Sequence, residues 1–129
     1  MIIIGITGRA RHGKDTIASH LVKHHGFTRL AYADPIRDML ELGLGIDPAY
    51  SVHGKELIIP WIGKSYRHLA QTLGTEWGRN LVKPDIWREV LKRRIQTTGD
   101  DNDRIVVSDV RFANEADWIR EQGHLWHVY

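Results

Sequence analysis

The sequence predicts an α/β domain built on a mainly parallel four-stranded sheet flanked by helices. Short apolar runs alternate with stretches of helical period, the first run ends in a glycine-rich turn that opens a helix, and the next two apolar runs each end in an acidic residue. Strands separated by helices are joined by crossovers, the connection that parallel pairing needs. At 129 residues, with no internal repeat, low-complexity tract or linker, residues 1–129 read as a single domain.

The first strand is expected at about 2–7, and the turn at its end organises the rest of the chain. Gly8, four residues, Gly13 and Lys14 are succeeded by a helical pattern, the order of a phosphate-binding P-loop. Gly8 and Gly13 leave the main chain free for close approach of a polyphosphate, so Gly8, Arg9, Ala10, Arg11, His12, Gly13, Lys14, Asp15 and Thr16 are candidate nucleotide contacts. Lys14 adds a mobile point charge, and the helix opening there presents free N–H groups to the same anion. Asp15 stands where a magnesium-binding Ser or Thr usually follows the Lys. A carboxylate is itself a hard oxygen ligand, though it adds negative charge near phosphates.

In the first helix Ile17, Ala18, Leu21 and Val22 recur on one face, and Gly26 occupies the C-cap. His20 and His24 lie one turn apart with no third ligand in view and read as surface residues. A second strand, about 28–33, ends in Asp34-Pro35, a helix start in which Asp34 serves equally well as N-cap or as a contact at a strand's carboxyl end; Arg37 comes one turn on. From Gly43 to Lys64, six Gly and Pro residues predict an irregular excursion, with Lys55 at the surface and Trp61 in the core.

Ser65 opens a helix whose apolar stripe is Leu69, Leu73, Trp77 and Leu81, while Arg67, Gln71 and Thr75 share another face. From spacing alone this is an ordinary amphipathic helix with a Glu76–Arg79 ion pair. Asp85 caps the next helix, in which Trp87, Val90, Leu91, Arg94 and Ile95 keep the 3.6 period. Residues 99–103 form an acidic turn. A third strand, about 104–109, ends in Asp109, a position that in P-loop proteins faces the magnesium site, with Arg111 beside it. A capping pattern over Asn114–Asp117 opens a helix with Phe112, Ala116 and Ile119 as its stripe and Gly123 as its stop; the fourth strand is about 125–129.

Composition narrows the function. Lys and Arg number 18 against 16 Asp and Glu, too small an excess to imply a nucleic-acid surface. Cysteine is absent, which removes disulfides and thiolate zinc sites, and no apolar run approaches a membrane span. The expected setting is cytoplasmic, with no membrane partner.

Four blocks carry a resemblance: Gly-Lys-Asp-Thr at 13–16, Tyr-Ala-Asp-Pro-Ile-Arg at 32–37, Gln-Thr-Leu-Gly-Thr-Glu-Trp-Gly-Arg at 71–79 and Val-Ser-Asp-Val-Arg-Phe-Ala-Asn-Glu at 107–115. In this order they resemble the phage-type deoxynucleoside monophosphate kinases, where an Asp after the P-loop Lys is normal. The resemblance implies a P-loop kinase fold with an acceptor-binding excursion at about 43–80, and magnesium-dependent transfer of the ATP γ-phosphoryl group to a deoxynucleoside monophosphate. It implies Lys14, Asp15, Asp109 and Arg111 as catalytic residues, Asp15 and Asp109 as metal ligands, and Asp34, Arg37, Arg67, Gln71, Glu76 and Arg79 as the acceptor site. Related kinases continue past the fourth strand with a segment that helps enclose the donor adenine; here a homodimer would supply part of that enclosure. Other readings of the loop are a kinase for a different phosphorylated acceptor, such as dephospho-coenzyme A or phosphomevalonate, and a nucleotide-binding protein without catalysis. A nucleic-acid module using the five Trp is disfavoured because most of them sit on apolar stripes.

Overall fold

A computed structural model describes residues 1–8, 13–98 and 103–128. Arg9, Ala10, Arg11 and His12, the expected acidic turn apart from Asp103, and Tyr129 lie outside the described residues. The chain divides into two compact units, Met1–Tyr32 with Arg88–Tyr129, and Ala33–Trp87.

The first unit holds the expected parallel sheet. β1 (Ile2–Gly8), β2 (Thr28–Leu30), β5 (Arg104–Val107) and β6 (His124–Val128) lie in the order β2-β5-β1-β6, all parallel. In β1 the side chains alternate between two covered faces. Ile4 and Ile6 pack with Ala18 and Leu21 of α1 (Lys14–His25), with Phe27 and Val106 in the same cluster. Gly5 instead meets α6 (Ala113–Gln122), where an added Cβ would lie 2.6 Å from Ile119. Burial on both faces explains why β1 and β5 read as unbroken apolar runs rather than as alternating ones. Gly26 ends α1 at φ 69°, its amide bonded to the Leu21 carbonyl, as its position in the sequence predicts.

The second unit departs from expectation in three places. Asp34 is not the N-cap of α2 (Asp34–Asp38): Ala33 holds that place, and Asp34 is the first helical residue, its carboxylate accepting from Arg37 Nη1 at 3.1 Å. The chain then passes into a π-helical turn, Met39–Gly43. The excursion after it is only partly irregular, containing α3 (Ala49–His53) and a hairpin of β3 (Ile58–Ile59) with β4 (Lys64–Ser65). Strands of two residues are too short for period reading; the turn is set by Gly63 at φ 75° and its 2.8 Å bond to the Ile59 carbonyl. Trp61 is 63% exposed rather than part of the core.

The third departure concerns the helix opened by Ser65, whose Oγ accepts the His68 amide. α4 (Tyr66–Gln71) gives way to a π-helical segment, Thr72–Val82. Hydrogen bonding to i+5 rather than i+4 rotates every later residue off the 3.6-residue stripe. Leu81 is therefore 79% exposed and Trp77 42% exposed, while Gly74 and Gly78 are the buried positions. The glycines admit Trp87, at the start of α5 (Ile86–Thr98), whose Nε1 donates to the Gly74 carbonyl at 2.7 Å.

A Cβ on Gly78 would lie 2.6 Å from the Trp87 ring. Gly78→Ala is expected to lower stability by about 1–3 kcal/mol through overpacking, outweighing the roughly 1 kcal/mol that Ala gains over Gly in a helix. Urea unfolding reads this as a lowered midpoint; a raised midpoint would mean that propensity prevails and the indole gives way.

Candidate nucleotide site

The carboxyl edge of the sheet in the first unit is where a ligand site is expected. β1 feeds α1 toward β2, whereas the neighbouring β5 feeds α6 toward β6 on the other side of β1. Two adjacent strand ends from which the chain leaves in opposite directions form the crevice where open parallel sheets bind ligands.

At the end of β1, Gly8 has φ 145°, and a Cβ there would lie 2.4 Å from the Val128 carbonyl oxygen. Gly13 caps α1 at φ 94°. Both positions require glycine, for backbone angle in each and for space at Gly8. Lys14, Asp15 and Thr16 make up the first turn of the 12-residue α1, so the candidate residues 13–16 sit where unpaired amides and the positive helix end favour an anion.

After β5 the chain leaves the strand and bends at Phe112 into α6, the Val110 amide donating to the Ile6 carbonyl of β1 at 3.3 Å. This connection carries Asp109 and Arg111. The Asp109 carboxylate accepts the Tyr32 amide at 2.8 Å. Arg111 projects from an exposed position whose backbone is clamped: Glu115, 3% exposed, accepts the amides of Arg111 at 3.3 Å and of Phe112 at 3.2 Å. Glu115 thereby occupies the third position of α6 and supplies the carboxylate of a capping arrangement, so the cap lies earlier than the expected Asn114–Asp117 pattern. Phe112 is exposed instead of joining the stripe, which runs through Trp118 and Ile119.

Tyr32 braces the same connection from the other side. Its hydroxyl donates to the Glu115 carbonyl at 3.2 Å while its amide holds Asp109. Burial, reinforced by Glu115 and Asp109 and opposed by Arg88, pushes its phenol far up, so it remains a donor throughout the ordinary pH range. Arg29 completes the edge by donating from Nε to Ser108 Oγ at 3.1 Å and from Nη2 to Asp15 Oδ1 at 2.6 Å.

Magnesium chemistry fits this donor set. Asp15 and Asp109 offer hard oxygens at the ends of the two adjacent strands' connections, and magnesium is typically held by one or two carboxylates with phosphates and water completing its shell. Among the described residues no cluster of three or more His, Asp or Glu forms a cage.

The acceptor candidates all lie in the second unit. Arg37 bonds Asp34 at 3.1 Å; burial raises the Tyr66 phenol's pKa while the nearby Arg37 charge pulls it back. Arg67, exposed on α4, is paired with Glu56, and Gln71 lies four residues further along the helix. Arg79 turns to Thr75 Oγ1 at 3.1 Å and to the Gly74 carbonyl at 3.3 Å, while Glu76 is exposed on the same π-helical segment. Sequence reasoning misses Arg29, Tyr32 and Ser108 as site residues because their roles depend on partners 14 to 83 positions away in sequence, and Glu115, whose partners are only three and four positions away, because it reads as part of a helix-capping pattern; Tyr32, Ser108 and Glu115 do lie inside the four blocks of resemblance.

A family model described as deoxynucleotide monophosphate kinase matches residues 55–129. A protein of Acanthamoeba polyphaga mimivirus, described as a candidate deoxynucleotide monophosphate kinase, is 31% identical over 136 aligned positions, covering 95% of this chain and 70% of that protein. A deoxynucleoside-5′-monophosphate kinase of Escherichia phage T5 is 25% identical over 186 positions, covering 96% of this chain and 74% of that protein. No helix among the described residues is long and apolar enough to cross a membrane.

Proposed function

Because this chain belongs to the deoxynucleotide monophosphate kinase family, we propose that it transfers the γ-phosphoryl group of ATP to a deoxynucleoside monophosphate, yielding ADP and the diphosphate. The observation that supports this most is the pairing of a glycine-bracketed helix start, Gly8 to Lys14, with the Asp109–Arg111 segment after the neighbouring strand.

In this reading Gly8 to Thr16 bind the polyphosphate, with Lys14 drawing on the outer phosphates as a point charge. Asp15 and Asp109 would hold magnesium, which would neutralise charge on the phosphate oxygens. Arg111 offers a guanidinium to the migrating group. The acceptor phosphate already carries nucleophilic oxygens, so alignment and charge stabilisation suffice without a strong base. Asp34, Arg37, Arg67, Gln71, Glu76 and Arg79 form the acceptor set, with about 43–80 as the excursion that carries most of it. Arginine forks suit a phosphate and carboxylates suit sugar hydroxyls and base amino groups. The substrates are free nucleotides in the cytoplasm.

The test is an acceptor panel. ADP release, read by a coupled assay, is expected with at least one of the four deoxynucleoside monophosphates and not with dephospho-coenzyme A or phosphomevalonate. Turnover of either of the latter, with none of the former, would overturn the assignment.

A further inference from the structure

Arg29 ties three segments of the carboxyl edge together. It projects from β2, its Nε bonds Ser108 Oγ at the end of β5, and its Nη2 meets the Asp15 carboxylate in the first turn of α1. Ser108 is 4% exposed, so one edge of the guanidinium is fixed to a buried hydroxyl, while Asp15 is 84% exposed. An exposed ion pair with two free ends contributes little. Here one end is anchored, so the fork holds Asp15 in one place rather than following it.

The placement answers a difficulty in the loop itself. Asp15 directly follows Lys14, and a bare carboxylate there would repel the polyphosphate that the loop attracts. We propose that Arg29 is a positioning residue of the nucleotide site: it neutralises Asp15 and holds that carboxylate toward the ends of β2 and β5, so that the loop accepts a nucleoside di- or triphosphate. This rests on the donor-site reading of residues 8–16. Arg29 acts through Asp15, so its effect exists only while Asp15 is charged and is smaller when magnesium shares that charge.

Calorimetric titration with ADP, without metal and with saturating magnesium, tests this in a double-mutant cycle of Arg29→Met, Asp15→Asn and the pair. Arg29→Met is expected to weaken metal-free ADP binding about 5-fold, in the range found for coupled neighbours, and to cost nothing further in the Asp15→Asn background. The loss is expected to shrink with magnesium. Ser108→Ala, which removes only the anchor, is expected to weaken metal-free binding in the same direction by about 2-fold, and serves if Arg29→Met does not fold. Parent-like ADP binding by the folded variants, or a loss that persists undiminished beside Asp15→Asn, would overturn the inference. Absence of ADP binding by the unaltered chain, with or without magnesium, is a different result: it would sink the donor site itself and this inference with it.

Discussion

Lys14→Ala is expected to cut kcat/KM for phosphoryl transfer by at least about 10²-fold, the scale on which removal of one preorganised charge-stabilising group is felt. Lys14 is the first residue of α1, directly after the left-handed Gly13. A cation at that end opposes the helix dipole, a placement that costs roughly 0.3–1 kcal/mol in an ordinary helix. A cation set against the dipole there is what the proposed anion-binding role calls for. The variant is accordingly expected to melt at or slightly above the parent temperature while its activity falls. Steady-state kinetics with a parallel melt checks both signs, and parent-like turnover in a folded variant would remove Lys14 from the mechanism.

Arg111→Ala is expected to have the larger effect on kcat, on the order of 10³-fold or more, as for other arginines that stabilise a transferring phosphoryl group. The side chain is exposed, and what Glu115 grips is the Arg111 amide, not its guanidinium. Truncation therefore leaves the clamp intact, and the urea midpoint should stay within the roughly ±0.5 kcal/mol of an ordinary surface change. Arg111→Lys keeps the charge but loses the planar fork, so it should recover only a part of the rate. A kcat loss below about tenfold would place Arg111 outside the transfer step, since effects in the 10³–10⁵ range mark such arginines.

Much of the candidate donor region is legible in the sequence because it depends on local rules. The apolar run of β1, the two glycines, the Lys and the Gly26 stop all act within a few residues of themselves, and the four parallel strands follow from the alternation of elements. The second unit is harder for definite reasons. The stripe Leu69–Leu73–Trp77–Leu81 assumes a 3.6-residue turn, whereas Thr72–Val82 is wound as a π-helix, and the residues that face inward are two glycines with no hydropathy signal. The bonds of Arg29 to Asp15 and Ser108, and of Tyr32 to Asp109 and Glu115, join residues brought together only by the β2-β5-β1 strand order. No helical or strand period relates them. The acceptor set comes from resemblance rather than from spacing, because Arg67 and Gln71 fit an ordinary solvated helix face equally well.

Following phosphorus-31 spectra while the purified chain acts on ATP and magnesium, with each deoxynucleoside monophosphate in turn, reads the proposed reaction itself. At least one monophosphate should be converted to its diphosphate in step with loss of the ATP γ-resonance, one ADP forming for each diphosphate. Release of inorganic phosphate alone, or ATP left intact beside all four acceptors in a chain that binds nucleotide, would contradict phosphoryl transfer to a deoxynucleotide.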